Sequence, residues 1–145
     1  MRKSFFYALL TTSIFFTLAI SCKKGSSGGS GGGGGGGTEA NLTVTLNPPE
    51  NSVQPASPQT DFPLTVTVTS TMPAQGVTID VSAKKDDGSG AAAFFTTSQN
   101  TTGSINNFTI SGTPAGVVCL TTVTVTSRSK STNKWTGTYR YSRKP

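Results

Sequence analysis

Two cysteines, six acids and twelve lysines and arginines are the groups in this 145-residue chain with a capacity for chemistry, and no histidine accompanies them. Without imidazole the chain lacks the side chain that titrates unperturbed near neutrality, and with it the usual general base and the commonest transition-metal ligand. The carboxylates Glu39, Glu50, Asp61, Asp80, Asp86 and Asp87 are scattered over different segments, so no pair is spaced to flank a scissile bond. Asp86 and Asp87 beside Gly88 offer two oxygen ligands where an all-protein calcium site takes about six or more, and Asp86-Asp87-Gly88-Ser89-Gly90 reads as a turn. No Ser-His-Asp set can be assembled, and Cys119 has no histidine to activate it. The expectation is a protein that is not an enzyme and carries neither metal nor cofactor.

Cys22 is distinguished by what precedes it. Met1-Arg2-Lys3 is a short basic start, and the apolar run from Phe5 to Ile20 is interrupted by Thr11, Thr12 and Ser13. A spanning helix wants about 20 apolar residues, so this stretch reads as a cleavable signal peptide over residues 1–21. Leu18-Ala19-Ile20-Ser21-Cys22 resembles a bacterial lipobox, with Ala19 standing where that motif usually carries leucine. Ser21-Cys22-Lys23-Lys24 is similar to the junctions of Bacteroidetes lipoproteins. The chemistry accounts for the cysteine, because its thiolate is a good nucleophile and takes a diacylglyceryl group as a stable thioether. The resemblance implies a further acyl chain such as palmitate on the freed amine, and two or more chains hold a protein durably in a membrane. It also implies the cell envelope; Lys23, in place of the aspartate that retains lipoproteins at the inner membrane, favours the outer membrane.

After the cysteine, residues 22–40 read as a tether. Gly25 to Gly37 contains only glycine and serine and ends in seven consecutive glycines, a composition that leaves a disordered linker with an rms reach of roughly 20 Å. A phosphate-cradling glycine loop is excluded, because neither a strand before it nor a helix after it is indicated.

From residue 41 to 145 the dominant signal is alternation of aliphatic residues with threonine, the period of a half-buried strand. Leu42, Val44 and Leu46 form the first run, stopped by Pro48-Pro49; Phe62, Leu64, Val66 and Val68 form the second; Val77, Ile79, Val81 and Ala83 form the third. A fourth around Ala92 to Thr97 is ambiguous, because the adjacent Phe94 and Phe95 cannot both point inward from a regular strand. The fifth spans Ile105 to Ile110, the sixth Val117 to Arg128 and the seventh Lys134 to Ser142. Seven short strands with turn signals between them resemble the immunoglobulin-like or fibronectin-III-like β-sandwich, so the expected fold is all-β and single-domain.

Parity assigns Cys119, Val123 and Val125 to one face of the sixth strand, which makes Cys119 a buried free thiol. Trp135, Tyr139 and Tyr141 share a face of the seventh and are expected to fill the sandwich; the competing reading is a glycan-stacking platform led by Trp135. No acid follows Asp87, whereas Arg128, Lys130, Lys134 and Arg140 do, and a register placing Val125 opposite Tyr139 sets Lys130 against Lys134. These four cations are candidate contacts for an anionic glycan or an acidic partner, weighed against lysines that merely discourage sheet aggregation. The formal charge of +6 falls to +4 once Arg2 and Lys3 leave with the signal. The resulting expectation is a lipid-anchored envelope module docking another envelope protein, or alternatively a glycan-binding accessory lipoprotein, with no nucleic acid as partner.

Overall fold

The structure is a computed structural model that describes residues 38–145. The expected signal peptide over residues 1–21, Cys22 and the Gly25–Gly37 run lie outside the described residues. Among the described residues the secondary structure is entirely β: β1 (Val44–Asn47), β2 (Phe62–Val68), β3 (Val77–Lys85), β4 (Phe95–Thr101), β5 (Ile105–Ile110), β6 (Val118–Ser127) and β7 (Lys134–Ser142). They form two antiparallel sheets, one of three strands ordered β1-β2-β5 and one of four ordered β4-β3-β6-β7.

Alternation dictates which side of each strand is buried. In β2 Leu64, Val66 and Val68 point inward, in β3 Val77, Ile79, Val81 and Ala83, and in β6 Cys119, Thr121, Val123 and Val125, while the residues between them turn to the outer faces. The two inner faces meet in one core, to which β5 adds Phe108 and Ile110 and β7 adds Tyr139 and Tyr141. Each fully buried aliphatic side chain there contributes roughly 1.5–3 kcal/mol. The architecture is a β-sandwich.

The fourth strand begins later than the expected Ala92–Thr97 segment. Asp86 to Ala93 is consumed by a connection in which Gly88 and Gly90 take positive φ, and Phe94 N donates to Ala83 O at 3.0 Å to bring the chain back. Phe95 then opens β4 opposite Ala83, on the inward face, while Phe94 stays just outside the strand. Both rings pack half-buried against the core, which resolves the conflict between two adjacent phenylalanines.

One element has no counterpart in the alternation. After β1 the segment Asn51–Ser57 crosses to the four-stranded sheet and runs parallel to β7, with isolated bridges Val53 to Arg140 and Ser57 to Arg143. Gln54 N donates to Arg140 O at 2.8 Å, Arg140 N to Ser52 O at 2.9 Å and Ser57 N to Ser142 O at 3.0 Å. The edge of β7 is thereby covered.

Candidate functional site

The β6–β7 hairpin is built by its own hydrogen bonds. Ser127 Oγ accepts from Ser129 N and Lys130 N, both at 3.1 Å, and Ser127 N donates to Asn133 O at 3.0 Å. Asn133 N donates to Lys130 O at 2.9 Å, which closes the 128–133 loop. The strands pair with Val125 opposite Trp135 and Thr126 opposite Lys134, so the register is offset from the one that would set Val125 against Tyr139. Because the offset is an even number of residues, every side chain keeps its expected face. Lys130 lies in the loop and does not oppose Lys134, whose partner is Thr126.

Of the four cations, the structure brings Arg128, Lys130 and Lys134 together at this tip, all exposed. Arg128 Nη1 donates to Gln75 O at 3.1 Å, bracing the neighbouring 69–76 loop. Arg140 is elsewhere: it pairs with Leu120 toward the far end of the sheet, and its Nε donates to Asp86 Oδ2 at 2.6 Å. The cationic tip therefore has three members.

The same hairpin holds the start of the domain. Asn133, 8% exposed, accepts from Leu42 N at 3.0 Å and donates through Nδ2 to Glu39 Oε1 at 2.6 Å and to Ala40 O at 2.9 Å. Glu39 and Ala40 are thereby fastened to the hairpin. Nothing in the sequence around Asn133 advertises a partner 91 residues away.

The aromatic residues fill the interior. Tyr139 and Tyr141 are each 1% exposed, with ring centroids 5.9 Å apart, and Tyr141 packs on Phe62 at 4.4 Å. Tyr141 Oη shares a buried hydrogen bond of 3.1 Å with Thr113 Oγ1, yet burial outweighs it and pushes the phenol up to about 12. Burial likewise raises Tyr139, whose Oη lies among groups without a well-formed partner, as does Thr121 Oγ1 on the opposing position of β6. Trp135 is half-buried, and its indole lies over Gly137, where a Cβ would collide with the ring and approach Glu50 Cδ to 3.2 Å. The ring is turned into the sandwich, so these three aromatics present no continuous stacking platform.

Cys119 is fully buried and unpaired, and burial raises its thiol against a smaller lowering effect of Lys85. At the Asp86–Gly90 turn, Asp87 Oδ1 accepts from Ser89 N at 3.0 Å and from Ser89 Oγ, bonds that lower its pKa. Asp86 is engaged by Arg140, so the two carboxylates serve different partners.

The two flanks of the sandwich differ. On one, the 51–57 segment seals β7; on the other, the outer edges of β4 and β5 are both unpaired. The run from Phe95 to Ile110 that supplies them contains no charge and no proline, and Ile105 stands 65% exposed at the start of β5. The adjoining outer face of the four-stranded sheet is a lattice of hydroxyls: Ser98, Asp80, Thr124 and Thr136 form one row across it and Thr96, Ser82, Thr122 and Thr138 the next. Asp80 is the one acid in those rows. No known protein family, no curated protein and no solved structure matches this chain.

Proposed function

We infer that this chain is a non-catalytic, lipid-anchored module of the bacterial cell envelope, held at the outer membrane through Cys22, which docks another envelope protein along the open β4–β5 flank. The anchor rests on the lipobox-like Leu18 to Cys22 segment and the glycine-rich run after it. The sandwich is read as immunoglobulin-like, of the fibronectin-III kind. What supports this is the place of the fourth strand, beside the third and not beside the fifth, together with a first-strand continuation that changes sheets to reach the last strand.

The observation that carries the docking role is the contrast between the flanks. Natural sheets protect their edges with lysine, proline, bulges or a covering segment, because a bare edge is a template for another strand. Here the β7 edge is covered and the outer edge of β1 is only four residues long and runs into Pro48, whereas the β4 and β5 edges carry none of these devices. Such an edge takes a partner strand by main-chain pairing, with alternate side chains supplying specificity.

The test is photo-crosslinking in intact cells from Ser98 and Thr109, with Thr136 as a control position, combined with protease shaving to give the leaflet. A discrete adduct from the two edge positions, lost on Ser98→Pro, is the expected result. Equal adducts from all three positions would remove the edge as the docking surface.

A further inference from the structure

We propose that the β6–β7 hairpin tip is the membrane-facing end of the domain and that Arg128, Lys130 and Lys134 rest on anionic lipid headgroups of the bilayer that holds the anchor. This rests on the reading of Cys22 as the lipidated residue.

The geometry begins with Asn133. Its side chain fastens Leu42 N, Glu39 and Ala40 to the hairpin, so the chain that descends toward Cys22 leaves the domain beside the three cations. The opposite end holds the Asp86–Gly90 turn with Asp86, Asp87 and the ion-paired Arg140, and also Lys84, Lys85, Arg143 and Lys144, so both ends carry cations and charge alone does not choose between them. The exit point therefore decides which end turns toward the bilayer.

Reach agrees with that placement, and the charge at the tip suits it. Fifteen residues separate Cys22 from Thr38, and a glycine-rich coil of that length spans roughly 20 Å. That reach is about two Debye lengths, so a tip at the exit point can settle onto the surface. Glu39 is the acid at this end, and its Oε1 is occupied by Asn133 Nδ2. Three exposed cations against one carboxylate leave the end positive. Each basic residue near an anionic leaflet strengthens association by roughly fivefold, so three together favour the lipid-contacting state on the order of a hundredfold. A free anionic glycan is the less favoured partner, because the tether already holds headgroups beside the tip at high effective concentration.

The experiment uses the lipidated full-length protein reconstituted in vesicles of phosphatidylcholine, alone or mixed with phosphatidylglycerol, with a nitroxide on the headgroups. A polar fluorophore is placed at the tip in S131C or at the far end in A92C; both positions are exposed and the native Cys119 is buried. Quenching at residue 131 should exceed that at residue 92 severalfold in the anionic vesicles. It should fall to the neutral-vesicle level in the Arg128→Ser, Lys130→Ser, Lys134→Ser triple variant, and be unchanged by Lys84→Ser with Lys144→Ser. Equal quenching at both ends, or quenching indifferent to lipid charge, overturns the proposal; if the same tip retains the protein on anionic polysaccharide, the cations belong to a glycan site instead. Flotation with the vesicles reports the anchor separately, since protein that does not float refutes the lipidation of Cys22, whereas protein that floats with unoriented quenching refutes only the contact.

Discussion

Asn133 and Leu42 lie 91 residues apart and are joined by a 3.0 Å bond from the Leu42 amide to the Asn133 side-chain oxygen, buried at the junction of the first strand and the last hairpin. A contact of this separation fixes where the chain enters the sandwich, and it makes one turn residue a structural clasp.

Asn133→Ala leaves the buried Leu42 N–H without its acceptor and frees Glu39 and Ala40. The expected loss is about 2 kcal/mol, the cost of an unmade buried bond plus two weaker ones. Urea unfolding measures it, and faster hydrogen exchange at Leu42 locates it; an unchanged midpoint would show the clasp to be dispensable.

Gly137→Ala forces Trp135 off its seat over the strand. Overpacking of this kind costs about 1–3 kcal/mol. As Trp135 is the single tryptophan, its emission should shift toward that of exposed indole in the variant. Wild-type emission should be indifferent to added polysaccharide; a saturable change would restore the glycan-stacking reading.

Cys119 is a small hydrophobe packed in line with Val123 and Val125. A polar thiol reagent should modify it at the rate at which the sandwich opens, slowly in buffer and at once in urea. Fast modification of the native protein would contradict its burial.

Alkaline pH should loosen the fold. Tyr141 titrates near 12 in the folded state against an ordinary value of 10, because burial penalises the phenolate. Its folded value is raised, so its contribution is complete below pH 10 and is lost as pH climbs from 10 toward 12. The predicted loss is on the order of 2 kcal/mol across that interval. Urea midpoints measured upward from pH 8 should decline there, and less steeply in Tyr141→Phe; equal slopes would assign the decline to other groups.

Much of this fold is legible in the residues. Val-Thr alternation sets the faces of β2, β3 and β6, and the parity of Cys119, Tyr139 and Tyr141 places them inside, because a period of two admits only one buried set. The register of β6 on β7 was not, since an even offset satisfies the same pattern and only the Ser127 and Asn133 bonds choose between offsets. For that reason Arg140, adjacent by composition to Arg128, lies far from it in space and beside Asp86. The 51–57 segment was invisible too: its contacts with β7 are main-chain bonds, which leave no trace in the side chains of Ser52, Val53 or Gln54.

The claim on which the whole account depends is the acylation of Cys22. Metabolic labelling with an alkyne analogue of palmitate, followed by membrane fractionation, tests it in one measurement. Wild-type protein should carry the label and sediment with the outer membrane, while Cys22→Ala should be unlabelled and released from it. Label on both proteins, or wild-type protein that is unlabelled and free of the membrane, would contradict the account.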